Sequence, residues 1–466
     1  MGLVVIILLL IPLGILGIMF YFMYQTWKHG KNFEKQNIPY LGAGWYRLVN
    51  FMRGKISLPE AEALIYQEAL ATRKPFVGFY DLTTAKYYIT DLDLMRHIYV
   101  KDFDHFQDRR PFAALKSDIL FKKMLLSLEG ARSNGGDYDI CEAYPKYAID
   151  VIASSACGVE SKAFEFTETN GPLSEFERMA AKFQLKFSFT MFLKFMVITM
   201  LPKVADFFGF EAMDLEPQIR KTGERHDDFL QLMMDTQQGL LKAEENDEEN
   251  TKNLNELTDE DIVANAVMFL NAGFDTSQSV LIFAAYALAK EQDVQERLYK
   301  EVKSIMDANG GNLTYDGVLE MNYLDMFVNE TLRMFPPAAK TVRSCVKDYQ
   351  IPGTQTVIKK GSIVTMPVYG IHSDSKYYEN PEKFNPENFL PEKKAQRYPV
   401  AFASFGHGPR SCIGSRFALF KVKVAIAALV YNFKLQPSAR TQIPVKFGNA
   451  ATLKPLNGMV LYITPR

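Results

Sequence analysis

Phe402-Ala-Ser-Phe405-Gly-His-Gly408-Pro-Arg410-Ser-Cys412-Ile-Gly414 is the stretch around which the rest of the chain is organised. One cysteine sits in a glycine-bounded loop, two residues after an arginine. An apolar helical pattern starts at once behind it, through Phe417, Leu419, Phe420, Val422, Val424, Ala425 and Ala427. A cysteine so placed can present its sulfur as a thiolate, because loop N–H groups and the positive end of the following helix favour the anion. Gly408 and Gly414 permit backbone conformations and close approaches that a side chain blocks. Phe405 can shield the sulfur, and Arg410 can pair with an anionic ligand. A free cysteine taken alone is more often a core residue, so two further motifs decide the matter.

The first lies inside a long helical pattern. Thr258-Asp-Glu-Asp261 predicts a capping box at its start, and the pattern continues to about Lys290. A helix that long is a rod of ~45 Å at ~1.5 Å per residue, and its apolar composition predicts that it crosses the core. Ala272-Gly273-Phe274-Asp275-Thr276-Ser277 sits in its middle. Glycine costs a helix roughly 1 kcal/mol against alanine. The local reading is a kink with Ser/Thr back-bonding. The functional reading is room for a diatomic ligand at Gly273, a hydroxyl at Thr276 and a proton-feeding carboxylate at Asp275.

The second is Glu330-Thr-Leu-Arg333, within a helix predicted over Asn322–Phe335. Residues three apart share a helix face, so the charges can pair. On a surface such a pair contributes under ~1 kcal/mol. Met326, Phe327, Leu332, Phe335, Pro336 and Pro337 around it predict burial instead, where breaking it is costly.

Phe405-x-x-Gly408-x-Arg410-x-Cys412-x-Gly414 resembles the haem-binding signature of the cytochrome P450 superfamily at every defined position. The other two motifs resemble that superfamily's oxygen-side helix motif and its Glu-x-x-Arg element, and all three stand in the family's order. The resemblance implies a mainly helical fold with a smaller β region and one haem b. Cys412 is then the axial thiolate and metal ligand, set in a loop shaped by Phe405, Gly408 and Gly414. Arg410, Arg343 and Arg109 are implied propionate partners, and Ala272 and Gly273 lie beside the haem. Thr276 and Asp275 become catalytic residues that organise protons. Glu330 and Arg333 lock the haem-binding side of the fold. Their usual third partner, an arginine, is replaced by Asn388 in Phe384-Asn-Pro-Glu-Asn388-Phe389, which can hydrogen-bond but carries no charge. Lys340 to Val342 are implied to face the substrate pocket.

The activity implied is insertion of one oxygen atom from O2 into a lipophilic substrate, a xenobiotic, hormone or other endogenous lipid. Electrons come from an NADPH–cytochrome P450 reductase, with cytochrome b5 as a second donor. Arg416, Lys421 and Lys423 are candidates for a basic docking face. Asp104-His-Phe-Gln-Asp-Arg-Arg-Pro-Phe112 and the loop wording resemble insect microsomal members most.

One departure stands out. Relatives follow Ser127-Leu-Glu-Gly130 with a helix bearing Trp-x-x-x-Arg, which binds a propionate and helps to dock the electron donor. Here Gly130 runs straight into Ala131-Arg-Ser-Asn-Gly-Gly136, and the chain's two tryptophans are Trp27 and Trp45. A segment longer than a helix is missing at 130/131. Two other readings therefore stay open: a catalytically impaired or non-catalytic lipophile-binding variant, and a reductase-independent haem-thiolate isomerase, against which Asp275-Thr276 argues.

The bulk properties agree with a large folded body. The chain has 466 residues, 48% hydrophobic, with a formal net charge of -1, so nothing calls for nucleic acid. Cys141, Cys157, Cys345 and Cys412 form no zinc or disulfide framework. Leu3 to Tyr24 is apolar and long enough to span a bilayer, and Trp27, Lys28, His29 and Lys31 flank it. The expected organisation is an anchor at 1–27, a hinge at 28–44 and a catalytic domain at 45–466 facing the cytosol from the endoplasmic reticulum membrane. Strands are predicted at Phe76–Tyr80, Tyr87–Thr90, within Gly353–Pro367, at Phe433–Leu435 and at Met459–Ile463. The phenylalanine- and methionine-rich 164–210 reads equally as a buried helix pair or a pocket roof.

Overall fold

A computed structural model describes residues 21, 23–42, 50, 53, 55–80, 85–102, 105–106, 136–157, 229–237, 258–448 and 450–466. Most of the predicted anchor, Arg109, the 130/131 junction and the stretch 164–210 lie outside them. Among the described residues no helix is long and apolar enough to cross a membrane. The protein is mainly helical with small sheets. Its strands are β1 (Phe76–Tyr80), β2 (Ala85–Ile89), β3 (Asp137–Asp139), β4 (Thr341–Ser344), β5 (Tyr349–Gln350), β6 (Val357–Ile358), β7 (Ile363–Met366), β8 (Phe433–Pro437) and β9 (Val460–Pro465).

The chain falls into two compact units. The first takes residues up to Arg110 together with Ala339–Tyr377 and Tyr398–Ser411. Its main sheet has the order β1-β2-β7-β4, in which β2 and β7 are parallel and the other pairs antiparallel. The strands are rich in tyrosine, valine and isoleucine, which suit a half-buried pleated surface. Helix Leu58–Ala71 begins on a capping box of Ser57 and Glu60 and buries Ile65, Tyr66 and Ala69. Residues 23–35, within the stretch read as anchor end and hinge, are helical. Phe33 from there is buried in the same apolar cluster as Val77, Tyr88, Ile98 and Val364. The short helix Leu92–Arg96 runs into a π-helical turn, His97–Lys101, which buries Tyr99.

The second unit takes Pro111–Ala338, Tyr378–Arg397 and Cys412–Arg466. Its axis is the helix Asp259–Lys290, opened by the reciprocal Thr258–Asp261 box. From Val280 to Ala289 every residue of this helix is buried, as expected for a helix apolar on all sides. It packs most extensively on helix Ile140–Cys157 and also meets the Glu330-Arg333 helix, Asn322–Met334, and the helix after the cysteine, Ser415–Asn432. Phe283 stacks on Phe335 at 4.7 Å, with Phe447 edge-on to both rings. A three-stranded sheet, β3-β9-β8, closes the unit. Buried Gln295 joins it to the helices by donating to Leu288 O and Leu435 O and accepting from Leu435 N.

Candidate haem-thiolate site

Two contacts fix the start of the cysteine loop inside the first unit. Ala403 N donates to Nε2 of the fully buried His372 at 3.0 Å, and the His372 ring stacks on Phe402. His407 Nε2 donates to Phe402 O at 2.8 Å. Burial lowers the His407 pKa from its ordinary value, and the carbonyl contact opposes that shift. The loop then turns through Gly406 and Gly408, both at positive φ. At Gly408 the backbone passes so close to the π-helical turn that a Cβ would stand 1.9 Å from Tyr99 O. Only glycine fits there. Gly414 differs: its φ of -88° is open to any residue. It is buried and stands as the N-cap of helix Ser415–Asn432.

Phe405 is half-buried and Arg410 is exposed. Arg343, on β4, is buried, and its guanidinium lies 4.4 Å above the Tyr99 ring. Its Nη2 donates to Arg410 O at 3.5 Å. Tyr99 thus serves twice, with its carbonyl against Gly408 and its ring under Arg343. Lys340 Nζ forms an ion pair with buried Glu62.

Cys412, half-buried and in no disulfide, opens the second unit's final segment, just ahead of helix Ser415–Asn432. Lys421 and Lys423 on that helix correct the docking expectation. Both are buried, because this part of the helix is enclosed by its neighbours on all sides. Lys421 Nζ donates to Gly273 O at 2.8 Å, and Lys423 Nζ pairs with Asp325 at 2.7 Å. Burial raises the Asp325 pKa, but Lys423 and then Lys394 outweigh it, and the net direction is down. Of the three basic candidates only Arg416 is exposed.

On the central helix, Thr276 is exposed and its Oγ1 donates to Ala272 O at 2.6 Å, the back-bond of the local reading. Asp275 Oδ1 lies 2.6 Å from Lys454 Nζ, close enough to ion-pair though outside hydrogen-bond alignment. The space left by Gly273 is not vacant for a diatomic molecule. A Cβ there would meet Ile152 Cδ1 at 2.4 Å, so the glycine admits helix Ile140–Cys157 to close packing.

Glu330 and Arg333 form a bidentate pair, Nε to Oε2 and Nη2 to Oε1, both at 2.8 Å and both essentially unexposed. Asn388 Nδ2 donates to Glu330 Oε1 at 3.2 Å, and Asn385 N donates to the same oxygen at 2.8 Å. The charge absent at Asn388 is supplied nearby by Arg397. Its guanidinium lies over Tyr378 and Phe389 and donates to Asn388 O. Sequence reasoning passed over Arg397, Lys454 and His372 because their partners are remote in the chain and no spacing marks them.

A soft sulfur donor ahead of a helix, at the end of a glycine-bounded loop, fits the donor chemistry of a haem-thiolate protein. The family model described as Cytochrome P450 matches residues 122–462, and the chain belongs to this family of monooxygenases. It is 31% identical to cytochrome P450 9e2 of Blattella germanica over 494 residues, covering 91% of this chain and 92% of the relative. It is 33% identical over 423 residues to the probable cytochrome P450 6a13 of Drosophila melanogaster, covering 80% and 82%. Against cytochrome P450 3A5 of Homo sapiens the identity is 34% over 372 residues, covering 76% and 70%. The alignment of 494 residues is longer than the 466-residue chain itself, so parts of that relative have no counterpart here.

Proposed function

We propose that the protein is a haem-thiolate monooxygenase acting on lipophilic compounds, in which the Cys412 thiolate would hold haem b. The observation that carries this is the cysteine loop itself, held by His372 at Ala403 and by Tyr99 at Gly408, and continuing into helix Ser415–Asn432. By the family resemblance, Arg343 and Arg410 would hold the haem propionates, and Ala272 would lie beside the group. Haem bound there supplies the activation of O2. The residues of the central helix do the rest. Asp275, partly exposed beside Lys454, exchanges protons with solvent. Thr276 holds a hydroxyl that can leave the Ala272 carbonyl and donate elsewhere. Electrons come from an NADPH-dependent reductase, with cytochrome b5 as a second donor, and Arg416 stands on the docking face. The 1–27 segment tethers the body to the endoplasmic reticulum membrane. The deciding experiment is the reduced carbon-monoxide difference spectrum of this chain, run beside a version with a family helix inserted after Gly130. A thiolate band in the chain as it stands supports the proposal, and its absence from both proteins rejects Cys412 as ligand.

A second reading is favoured by the missing Trp-x-x-x-Arg segment: a protein that binds lipophiles without turning them over. It predicts substrate-induced spectral change with no product, and recovery of turnover in the repaired version.

A further inference from the structure

Lys421 is the most demanding residue of the second unit. It is 2% exposed, and its pKa is lowered to about 7 by burial. Among the described residues it has no carboxylate partner, and placing an ammonium group so in a helix interface is costly. A methionine or leucine would fill the same space without that cost, so packing alone does not account for a lysine. Its contacts do. Nζ donates to Gly273 O at 2.8 Å, and the Phe417 ring lies 5.5 Å from the same nitrogen.

Gly273 is held from a second direction. Ile152 occupies the place of its missing side chain, with Cδ1 2.4 Å from an ideal Cβ. Ile152 shares a helix with Tyr147, whose hydroxyl donates to the Lys421 carbonyl at 3.3 Å. The contacts form a closed ring through three helices: Tyr147 to Lys421, Lys421 to Gly273, Gly273 to Ile152. A helix carbonyl has two lone pairs, so Gly273 O can take the lysine as well as the N–H of Ser277. The helix stays continuous through this point. The preceding carbonyl, Ala272 O, likewise takes a side-chain donor, Thr276 Oγ1.

We infer that Lys421 is a positioning residue for the oxygenase reaction: its hydrogen bond to Gly273 fixes the Ala272–Ser277 turn and with it the direction of the Thr276 hydroxyl. This rests on the assignment of Thr276 and Asp275 as proton carriers proposed above. Ile152 at Gly273 and the Asp275–Lys454 ion pair hold the same turn from other directions, so loss of the bond loosens it without unfolding it.

The test uses the full chain with haem and reductase, comparing wild type with Lys421→Met and Lys421→Gln. Methionine keeps the volume and removes the donor, whereas glutamine keeps a donor. Amide hydrogen exchange is followed in peptides spanning 270–279, together with product formed per NADPH consumed. The expected result for Lys421→Met is exchange faster by roughly tenfold and a several-fold lower yield, with Lys421→Gln within about twofold of wild type in both. Unchanged exchange in Lys421→Met overturns the inference, as does a glutamine variant as impaired as the methionine one, which would make the role one of packing. Should the methionine variant not fold, the glutamine variant decides. Exchange and yield near wild type support the bond, and tenfold faster exchange refutes it. A wild type without a thiolate band shows instead that the oxygenase assignment has failed, while the exchange comparison remains readable.

Discussion

The carbonyl oxygen of Tyr99 lies 1.9 Å from the point where a β-carbon on residue 408 would stand. Two separate penalties follow for Gly408→Ala. The φ of +75° costs a side-chain-bearing residue roughly 1–2 kcal/mol, and the clash with backbone forces the loop to move. The expected outcome is loss of the thiolate–carbon monoxide band with the helical content retained by circular dichroism. Gly414→Ala, at an unstrained φ of -88°, keeps the band.

Cys412→Ser is expected to abolish the thiolate band altogether while leaving the protein folded, since the side chain is only half-buried and in no disulfide. Retention of that band in the serine variant would falsify the ligand assignment.

Thr276→Ala removes a back-bond to Ala272 and little buried surface, so thermal stability should hardly change. Its effect should fall on coupling: oxygen and NADPH are consumed, and product drops several-fold. Thr276→Ser, which keeps the hydroxyl, restores the yield. Equal product per NADPH in the alanine variant removes Thr276 from proton handling.

Glu330→Gln leaves the buried Arg333 guanidinium without its anion. Breaking a buried pair from one side costs about 3–5 kcal/mol, which should appear as poor expression or a sharply lowered denaturation midpoint. Arg397→Met should weaken the same network less, because its guanidinium meets Glu330 only at a distance and is only part-buried.

Lys421 makes stability pH-dependent. Its folded pKa, about 7, lies below the unfolded value near 10.4. Between those values the unfolded chain binds the extra proton, so stability rises as pH increases from about 7 to about 10 and is flat below that window. Lys421→Met should remove that slope in denaturation midpoints measured across pH, and an unchanged slope would place its origin elsewhere.

Much of this was legible in local sequence. The Thr258–Asp261 box and the apolar run behind it define the central helix because both signals are local. Gly408 stands out because a left-handed φ and the close approach to Tyr99 admit only glycine, whereas Cys412 drew notice through the family signature around it. The Glu330–Arg333 pair was readable from its apolar neighbours. Lys421 and Lys423 were misjudged, since charge suggests a surface and only tertiary packing encloses that helix. Gly273 was read as a gap beside a ligand, when Ile152, far away in sequence, fills it. The strand β3 passed unnoticed because its three residues pair only with β9, near the other end of the chain.

Leu453 donates its N–H to Pro337 O and accepts at its carbonyl from Ser279 Oγ. The next residue, Lys454, reaches Asp275. This short strap therefore has no slack. Exchanging residues along it will tug on the turn bearing Thr276, so substitutions there should register as altered yield per NADPH even though they lie far from that turn in the sequence.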